Sequence, residues 1–226
     1  MYQAKIILDS LAPSGFRLTT FVLTYPRFIH SEFMTHRDFS RNAASSRAIP
    51  VKKMLESISL NPAIPVEWGT AKSGMQAGEE SAHKDLAEKV WLDASNKMIE
   101  AAQKLAGLVS VDSDGNIVPN DSPNAIKLNI HKQISNRIIE PWMWMTVICT
   151  ATSYDNFFAL RCHPDAQPEI QKLAYMMKES YESSVPEKID AGDWHIPFIQ
   201  DDEQDLDIET KKQISRSEEH TSELQS

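Results

Sequence analysis

The 226-residue chain has two cysteines, no long apolar run, and fewer lysines and arginines than acidic residues. Cys149 and Cys162 form no C-x-x-C pair, so the sequence predicts neither a disulfide framework nor a zinc site. A membrane helix needs about 18 apolar residues in succession, and the N-terminal MYQAKIILDSL is too short and polar for a signal peptide. We therefore expect a cytoplasmic protein that binds no metal and no membrane.

The net charge of -9 argues against a nucleic-acid surface, because binding along a phosphate backbone needs a broad excess of Lys and Arg. Residues 35–47, THRDFSRNAASSR, are the exception, with three arginines, one histidine and three serines. Hydroxyls, backbone amides and guanidinium groups together suit a small phosphorylated ligand. Surface ion pairs are the alternative, and spacing alone does not decide between the two.

The first part of the chain predicts a β-hairpin. Residues 4–8 and 16–25 are rich in β-branched and aromatic side chains, and Pro13-Ser14-Gly15 between them is typical of a turn. Pro26 is expected to begin a helix that loosens near residues 40–42.

The remainder predicts several helices and one more buried strand. Asp112-Ser113-Asp114-Gly115-Asn116 begins like a calcium loop but lacks the closing Glu, so a hairpin turn is favoured. The spacing of apolar residues and the positions of Pro and Gly predict the remaining elements. They are an ordered loop over 57–78, helices over 79–108 and 122–140, a strand over 142–150, and helices over 153–161 and 168–183. This order indicates a mixed α/β (α+β) domain with an antiparallel-rich sheet flanked by long helices.

The last eleven residues, 216–226 (RSEEHTSELQS), resemble a translated sequencing adapter and are excluded from the fold prediction. The sequence therefore predicts one domain over residues 1–215, truncated at its C-terminus, followed by an artefactual tail over 216–226.

Three blocks resemble the flavin-dependent thymidylate synthases. Thr35-His36-Arg37, seven residues, then Ser45 and Arg47, with Asn42 between them, is similar to the family's Arg-His-Arg-x7-Ser signature. N-F-F-A-L-R at 156–161, followed by A-Q-P-E-I at 166–170, is similar to N-F-L-x-L-R and A-Q-x-E-I. R-I-I-E-P at 137–141 is similar to R-x-x-L-P. The blocks cover residues 16–50 and 131–182 in the family's order.

The resemblance implies a role for each matched residue. His36, Arg37 and Asn156 would hold FAD, where positive charge stabilises the anionic reduced ring. Ser45, Arg47 and Arg137 would bind the nucleotide, chiefly its phosphate, and Arg161 would be the catalytic residue at the pyrimidine. The alternatives are a satisfied helix histidine at position 36 and structural ion pairs for the arginines.

The resemblance also implies the reaction and the assembly. Members methylate dUMP to dTMP, with 5,10-methylenetetrahydrofolate as carbon donor, NADPH as reductant and FAD as carrier between them. Reduced flavin, rather than a protein cysteine, mediates carbon transfer, and neither cysteine here has a nucleophile's setting. The implied protein is a homotetramer with sites at its subunit interfaces.

Departures from the family pattern leave the substrate open. Thr35 replaces the first Arg, Ala43 stands where the family has Glu, and Glu32 stands where it has Gln. A flavin- and folate-dependent pyrimidine nucleotide hydroxymethylase, or a nucleotide-binding homologue without catalysis, therefore remain alternatives. The T-H-R variant resembles phage relatives, which predicts a phage gene acting in the host cytoplasm.

The family's H-x-x-P-F-x-H segment does not occur in the chain. We expect a rearranged order in which that segment follows Ile199 and was cut away at the adapter junction, leaving an incomplete flavin site.

Overall fold

The computed structural model describes the backbone of residues 1–225 and the side chains of residues 1–200 and 202–218. Its strands are β1 (Gln3–Leu11), β2 (Arg17–Pro26), β3 (Ser40–Ala43), β4 (Ser110–Val111), β5 (Ile117–Val118), β6 (Trp144–Ala151) and β7 (Glu187–Lys188). Its α-helices are α1 (His30–Phe33), α2 (Val51–Leu60), α3 (Lys84–Leu105), α4 (Lys132–Ser135), α5 (Asp155–Arg161), α6 (Pro168–Ser183) and α7 (Ile208–Gln225). Short 3-10 helices span Arg27–Ile29, Arg137–Trp142 and Asp201–Glu203.

The chain forms two compact units. Unit 1 contains Met1–Tyr25, Ile29–Ala44 and Met145–Ser226, and unit 2 contains Pro26–Phe28 and Ser45–Trp144. The single domain over residues 1–215 stays a prediction.

Unit 1 contains a five-stranded sheet in the order β3-β6-β2-β1-β7. β1 pairs antiparallel with β2, β3 pairs antiparallel with β6, and the short β7 pairs in parallel with β1. The predicted mixed α/β class with an antiparallel-rich sheet is confirmed. Alternating apolar side chains of β2, such as Phe21, Leu23 and Tyr25, are fully buried, as alternation in a half-covered strand requires.

The predicted N-terminal hairpin is also confirmed. Gly15 adopts φ +85° in the connecting turn, a conformation that favours glycine, and its amide donates to the carbonyl of Ala12 at 2.9 Å. The strand register shifts between Ile6 and Leu8.

The helix predicted after Pro26 is much shorter than expected. It ends at Phe33, and residues 40–42, predicted as its loosening end, lie in strand β3 (Ser40–Ala43). The reason is tertiary, because the backbone of β3 pairs with β6 from Ser40–Thr150 to Ala43–Val147. The guanidinium of Arg41 donates to the carbonyl of Phe33 at 3.1 Å and so closes the helix end.

In unit 2, the long helix predicted over 79–108 is present as α3, which begins five residues later and ends three residues earlier. The ordered loop predicted over 57–78 begins only at residue 61, because α2 continues through Leu60. Apolar side chains of α2, including Met54, Leu55 and Ile58, are buried in a core with Ile139 and residues of α3. Burial of this stripe explains why α2 persists without a side-chain N-cap.

The second long helix predicted over 122–140 is wrong. Residues 119–131 are non-helical, followed by the short α4 and the 3-10 helix. Ile126 exchanges backbone hydrogen bonds with Val111, and Ile130 donates to Leu105 at 2.7 Å. Asn129 has φ +50°, which a continuous α-helix does not allow. Backbone partners outside the segment therefore override its local helical pattern.

The later elements agree well with the predictions. The strand expected over 142–150 is β6, and the helices expected over 153–161 and 168–183 are α5 and α6. The hairpin turn near residues 111–118 is formed by β4 and β5. Within the described part of the chain, none of the helices combines the length and apolarity that crossing a membrane requires.

Candidate active site

Unit 1 brings His36 and Arg161 together although 125 residues separate them in sequence. His36 follows α1, and Arg161 is the last residue of α5. The Nε–H of Arg161 donates to Nε2 of His36 at 3.0 Å. The imidazole packs edge-on against Phe157, with ring centroids 4.8 Å apart, and lies 5.9 Å from Phe39. His36 is 7% exposed, so an aromatic cluster holds the ring in one orientation.

Burial and the neighbouring positive charges lower the pKa of His36. Burial is the main cause, and the positive charges of Arg161 and Arg41 add to it, so that the pKa of His36 falls to about 4. The ring is therefore neutral at pH 7. Because an arginine Nε–H can only donate, Nε2 of His36 must accept, and the single ring proton lies on Nδ1. The flavin contact of His36 stays a prediction, and a neutral ring would make it.

Glu32 lies beside this pair. Its Oε2 is 3.9 Å from Nη1 of Arg161. Burial raises the pKa of Glu32, the charge of Arg161 opposes that rise, and Glu169 adds to it. The sequence marked Glu32 as a departure from the family's Gln, and it could not show the proximity of Glu32 to Arg161.

Arg37 and Asn156 remain exposed in unit 1. Asn156 is the second residue of α5, on the helix that also ends at Arg161. Neither side chain hydrogen-bonds to another described residue, so their polar atoms are available to a ligand. Thr35, which stands at the family's first Arg, is engaged locally, its hydroxyl donating to the carbonyl of Glu32 at 2.7 Å.

Unit 2 carries the other predicted residues. Ser45 and Arg47 are exposed in a turn before α2, where the Arg47 amide donates to Oγ of Ser45 at 3.3 Å. Buried Asn136 holds this turn, because its Nδ2 donates to the carbonyls of Ser46 at 2.7 Å and Ile49 at 3.0 Å. The guanidinium of Arg47 has no partner among the described residues and faces solvent.

Arg137 belongs to a charged cluster in unit 2 that the sequence did not reveal in full. One carboxylate oxygen, Oε1 of Glu140, accepts hydrogen bonds from Nη1 of Arg137 at 2.8 Å and from the hydroxyl of Ser46 at 3.1 Å. The same oxygen forms an ion pair with Nη2 of Arg27 at 3.1 Å. The Arg137–Glu140 spacing of three residues could have suggested the first contact. Nothing in the sequence pointed to Arg27 or Ser46 as partners of Glu140.

Other candidate chemistry receives no support from the structure. Among the residues it describes, no group of His, Cys, Asp or Glu is arranged to hold a metal ion. Asp112 instead accepts the amides of Asp114 and Asn116 within its turn. Burial raises the pKa of Cys149 to about 12 and also raises that of Cys162, so neither thiol forms a ready nucleophile.

The profile described as thymidylate synthase complementing protein, Thy1, matches residues 16–187. The chain belongs to this family. The resemblance to the flavin-dependent thymidylate synthases is thereby confirmed. Every site residue predicted from the sequence lies within the matched range. No curated protein matches the chain.

Solved structures share the fold of this Thy1 member. A UMP/dUMP methylase, PolB, from Streptomyces cacaoi bound with 5-Br dUMP is 16% identical, with a TM-score of 0.53 over 73% of this chain and 65% of that one. The same methylase bound with 5-Br UMP is 14% identical, with a TM-score of 0.55 over 80% of this chain and 88% of that one. The chain thus spans slightly less than two thirds of the first of these neighbours.

Proposed function

We propose that the protein is a flavin-dependent thymidylate synthase that methylates dUMP to dTMP, with methylenetetrahydrofolate as carbon donor and NADPH as reductant. The observation that carries the proposal is the Thy1 match over residues 16–187, which includes both the His36–Arg161 pair and the exposed cations Arg37, Arg47 and Arg137. The fold neighbours, which are UMP/dUMP methylases, support a pyrimidine nucleotide as substrate.

The side chains of unit 1 fit a flavin. Arg37 offers an exposed guanidinium for an anionic ring or phosphate, and Asn156 offers an exposed amide. His36 would serve as a neutral donor through Nδ1–H, whose proton no described residue accepts. FAD, when bound, would carry reducing equivalents from NADPH and mediate the carbon transfer. The chain's contribution is to orient the ring and to supply the positive charge of Arg37.

The side chains of unit 2 fit a nucleotide phosphate. Ser45 supplies a hydroxyl, while Arg47 and Arg137 supply guanidinium groups that can pair with phosphate oxygens in a bidentate manner. Arg161 would contact the pyrimidine, where its remaining N–H groups can donate to a carbonyl. Because His36 already accepts from its Nε, the guanidinium is held in one direction.

The decisive experiment combines colour and product. FAD is added to the protein, because the H-x-x-P-F-x-H segment does not occur in the chain and the flavin site is expected to be incomplete. We expect the protein with FAD to show bound flavin absorbance near 450 nm, roughly the usual flavin band, and to convert dUMP to dTMP with methylenetetrahydrofolate and NADPH. UMP and dCMP should be assayed in parallel, with products resolved by mass. A hydroxymethylated product would favour the hydroxymethylase. Thr35 and Ala43, which replace the family's Arg and Glu, are the reason to consider that alternative. Nucleotide binding without flavin or turnover would favour the inactive homologue.

The phosphate assignment has its own test. Arg47→Ala should weaken dUMP binding by about 1.5–3 kcal/mol, the scale of a hydrogen bond to a charged group, measured by isothermal titration. Lys52→Ala is the matched control, because Lys52 is an exposed cation on nearby α2 whose partner is Glu56. Equal affinity of the Arg47→Ala and wild-type proteins would reject the assignment.

The proposed assembly is a homotetramer. Sedimentation should give a mass about four times the 25.5 kDa of the chain. A monomer with full activity would contradict active sites at subunit interfaces.

A further inference from the structure

The cluster of Arg27, Ser46, Arg137 and Glu140, called here the Glu140 cluster, has an unusual arrangement of charge. Arg27 and Arg137 are far apart in sequence, yet both guanidinium groups contact the same oxygen of Glu140. Nη2 of Arg27 lies 3.1 Å from Oε1 and Nη1 of Arg137 lies 2.8 Å from it. One carboxylate balances only one of the two positive charges. The two guanidinium groups therefore share one carboxylate, and an anion that enters beside Arg137 can compete with that carboxylate for it.

The two arginines differ in exposure. The side chain of Arg137 is 52% exposed, whereas that of Arg27 is 16% exposed and that of Glu140 is 23% exposed. The Arg137 side chain pairs with Glu140. Arg27 and Ser46 form the inner side of the cluster, and Arg137 forms the outer side, where an entering ligand meets it first.

The inner side is braced by the backbone. The amide of Arg27 donates to the carbonyl of Met143 at 2.8 Å, and the amide of Met143 donates to the carbonyl of Glu140 at 3.1 Å. Asn136, which is fully buried, fixes the Ser46 backbone from the other direction. Glu140 is thus held to Arg27 and Ser46 by fixed elements, and its bond to Arg137 is the exchangeable one.

We propose that Arg137 exchanges the Glu140 carboxylate for the phosphate of the nucleotide, while Arg27 keeps Glu140 and cancels its charge. Arg27 is then a positioning residue for the nucleotide site, and Glu140 is an internal competitor of the phosphate. The inference deepens the proposed function and rests on it. It assigns roles to Arg27 and Glu140, and Glu140 occupies the position at which the family motif R-x-x-L-P has Leu.

Electrostatics gives the two residues opposite effects on phosphate binding. At about 5 Å and an effective dielectric constant of about 20, repulsion between two unit charges lowers affinity on the order of a hundredfold. Partial exposure and salt reduce this to about tenfold. Removing the charge of Glu140 should therefore strengthen phosphate binding. Removing the charge of Arg27 should weaken it, because Arg137 alone then has to balance Glu140.

The test is a set of variants of the full chain titrated with dUMP. Glu140→Gln keeps the shape and an acceptor oxygen, and it should lower the dissociation constant about tenfold. Arg27→Gln should raise it about tenfold, Arg27→Lys should stay near wild type, and the double variant Arg27→Gln/Glu140→Gln should return close to wild type. Glu56→Gln, an exposed carboxylate of α2, is the matched control and should change nothing.

A merely structural role for the cluster predicts a different pattern, in which both single variants weaken binding and the double variant is weaker still. Unchanged or weaker binding by Glu140→Gln would therefore overturn the inference. If a variant fails to fold, a crystal structure of the wild-type protein with dUMP decides instead. We expect Nη1 of Arg137 to have left Oε1 of Glu140 with the Arg27 contact retained, and an intact Arg137–Glu140 contact contradicts the exchange.

Inorganic phosphate as a second probe separates this inference from the proposed function. Suppose that Glu140→Gln and Arg27→Gln shift the affinity for inorganic phosphate in opposite directions, and that the protein does not bind dUMP. This result would support the exchange of Glu140 for a phosphate on Arg137 and would reject a nucleotide as the ligand. Binding of dUMP with unchanged affinity in both variants would reject the exchange and would support the nucleotide as ligand. A wild-type protein that binds neither probe overturns both.

Discussion

The side-chain pair His36–Arg161 links a buried neutral ring to a fixed cation. The guanidinium lowers the pKa of His36 in addition to the larger effect of burial, and the hydrogen bond selects the tautomer with its proton on Nδ1. A neutral donor suits this position, because a buried charged ring next to Arg161 would be disfavoured twice, by desolvation and by repulsion.

Arg161→Gln should raise the pKa of His36 from about 4 towards, but not up to, its ordinary 6.5, because burial remains. An NMR titration of the His36 ring measures the change. Arg37→Gln is the matched control, since Arg37 is exposed and is not among the charges that lower this pKa. An unaltered His36 titration in Arg161→Gln would mean that the contact does not form in solution.

At the scale of elements, a charged clamp joins the N-terminal hairpin to α6. Asp9 of β1 accepts both Nε and Nη2 of Arg17, at 2.9 and 2.6 Å, and the hydroxyls of Thr19 and Ser184. Arg17 also donates to the carbonyl of Tyr181 at 2.9 Å and lies 3.7 Å above its ring. Burial alone would raise the pKa of Asp9, but these donors hold it below its usual value.

Asp9→Asn should lower the free energy of unfolding by about 3 kcal/mol, because it leaves a partly buried Arg17 without its charged partner. Urea unfolding at pH 7 measures the loss. Asp93→Asn, an exposed residue of α3, should change stability by less than about 0.5 kcal/mol. A similar loss in the two variants would contradict the clamp. The pKa of Asp9 in the folded protein is lower than 3.8, its ordinary value. Asp9 therefore stabilises the fold fully above pH 3.8, and this stabilisation is lost as the pH falls through the lowered pKa.

The end of α3 depends on Gly107, which follows the helix with φ +68°. A Cβ at this position would lie 3.0 Å from the backbone nitrogen of Asn129, whereas a Cβ at Gly115, with φ +81°, would meet open space. Both alanine variants suffer the backbone strain, and only Gly107→Ala adds the close contact. We expect Gly107→Ala to be less stable than Gly115→Ala by about 1 kcal/mol or more in urea unfolding. Equal losses would mean that the Asn129 backbone gives way.

At the scale of the whole molecule, two histidines make stability depend on pH. Burial lowers the pKa of His195, whose ring nitrogens each lie 2.8 Å from a hydroxyl, those of Ser10 and Thr20. His36 is lowered to about 4. Below pH 6.5 the unfolded chain therefore binds more protons at these two histidines than the folded chain does. Unfolding therefore becomes easier as the pH falls.

We expect the free energy of unfolding to decrease from pH 6.5 towards pH 4, with up to one proton taken up on unfolding for each of the two histidines. His36→Gln should flatten this dependence, and His163→Gln, at an exposed histidine, should leave it as in the wild type. Urea titrations at several pH values measure the slope. A His36→Gln slope identical to that of the wild type would show that His36 is not neutral in the folded protein.

Local patterns by themselves determined much of the molecule. Alternation of apolar residues, Pro and Gly at turns, and periodic apolar stripes were sufficient for the hairpin, α3, β6, α5 and α6, because these signals act within a few residues. The spaced motifs around His36, Asn156 and Arg137 were sufficient for the family. The order of the motifs along the sequence identifies the family even for residues 122–140, where the predicted helix was wrong.

Only the tertiary structure decided the rest, because it depends on partners far away in the chain. Strand β3 exists because β6 offers an edge, and residues 119–131 avoid a helix because Val111 and Leu105 bind their backbone. The neutral state of His36 and the joining of Arg27, Ser46 and Arg137 on Glu140 likewise require burial and long-range contact. No window of sequence contains the groups that desolvate a ring or complete a charge cluster, and so their energies appear only once the chain is folded.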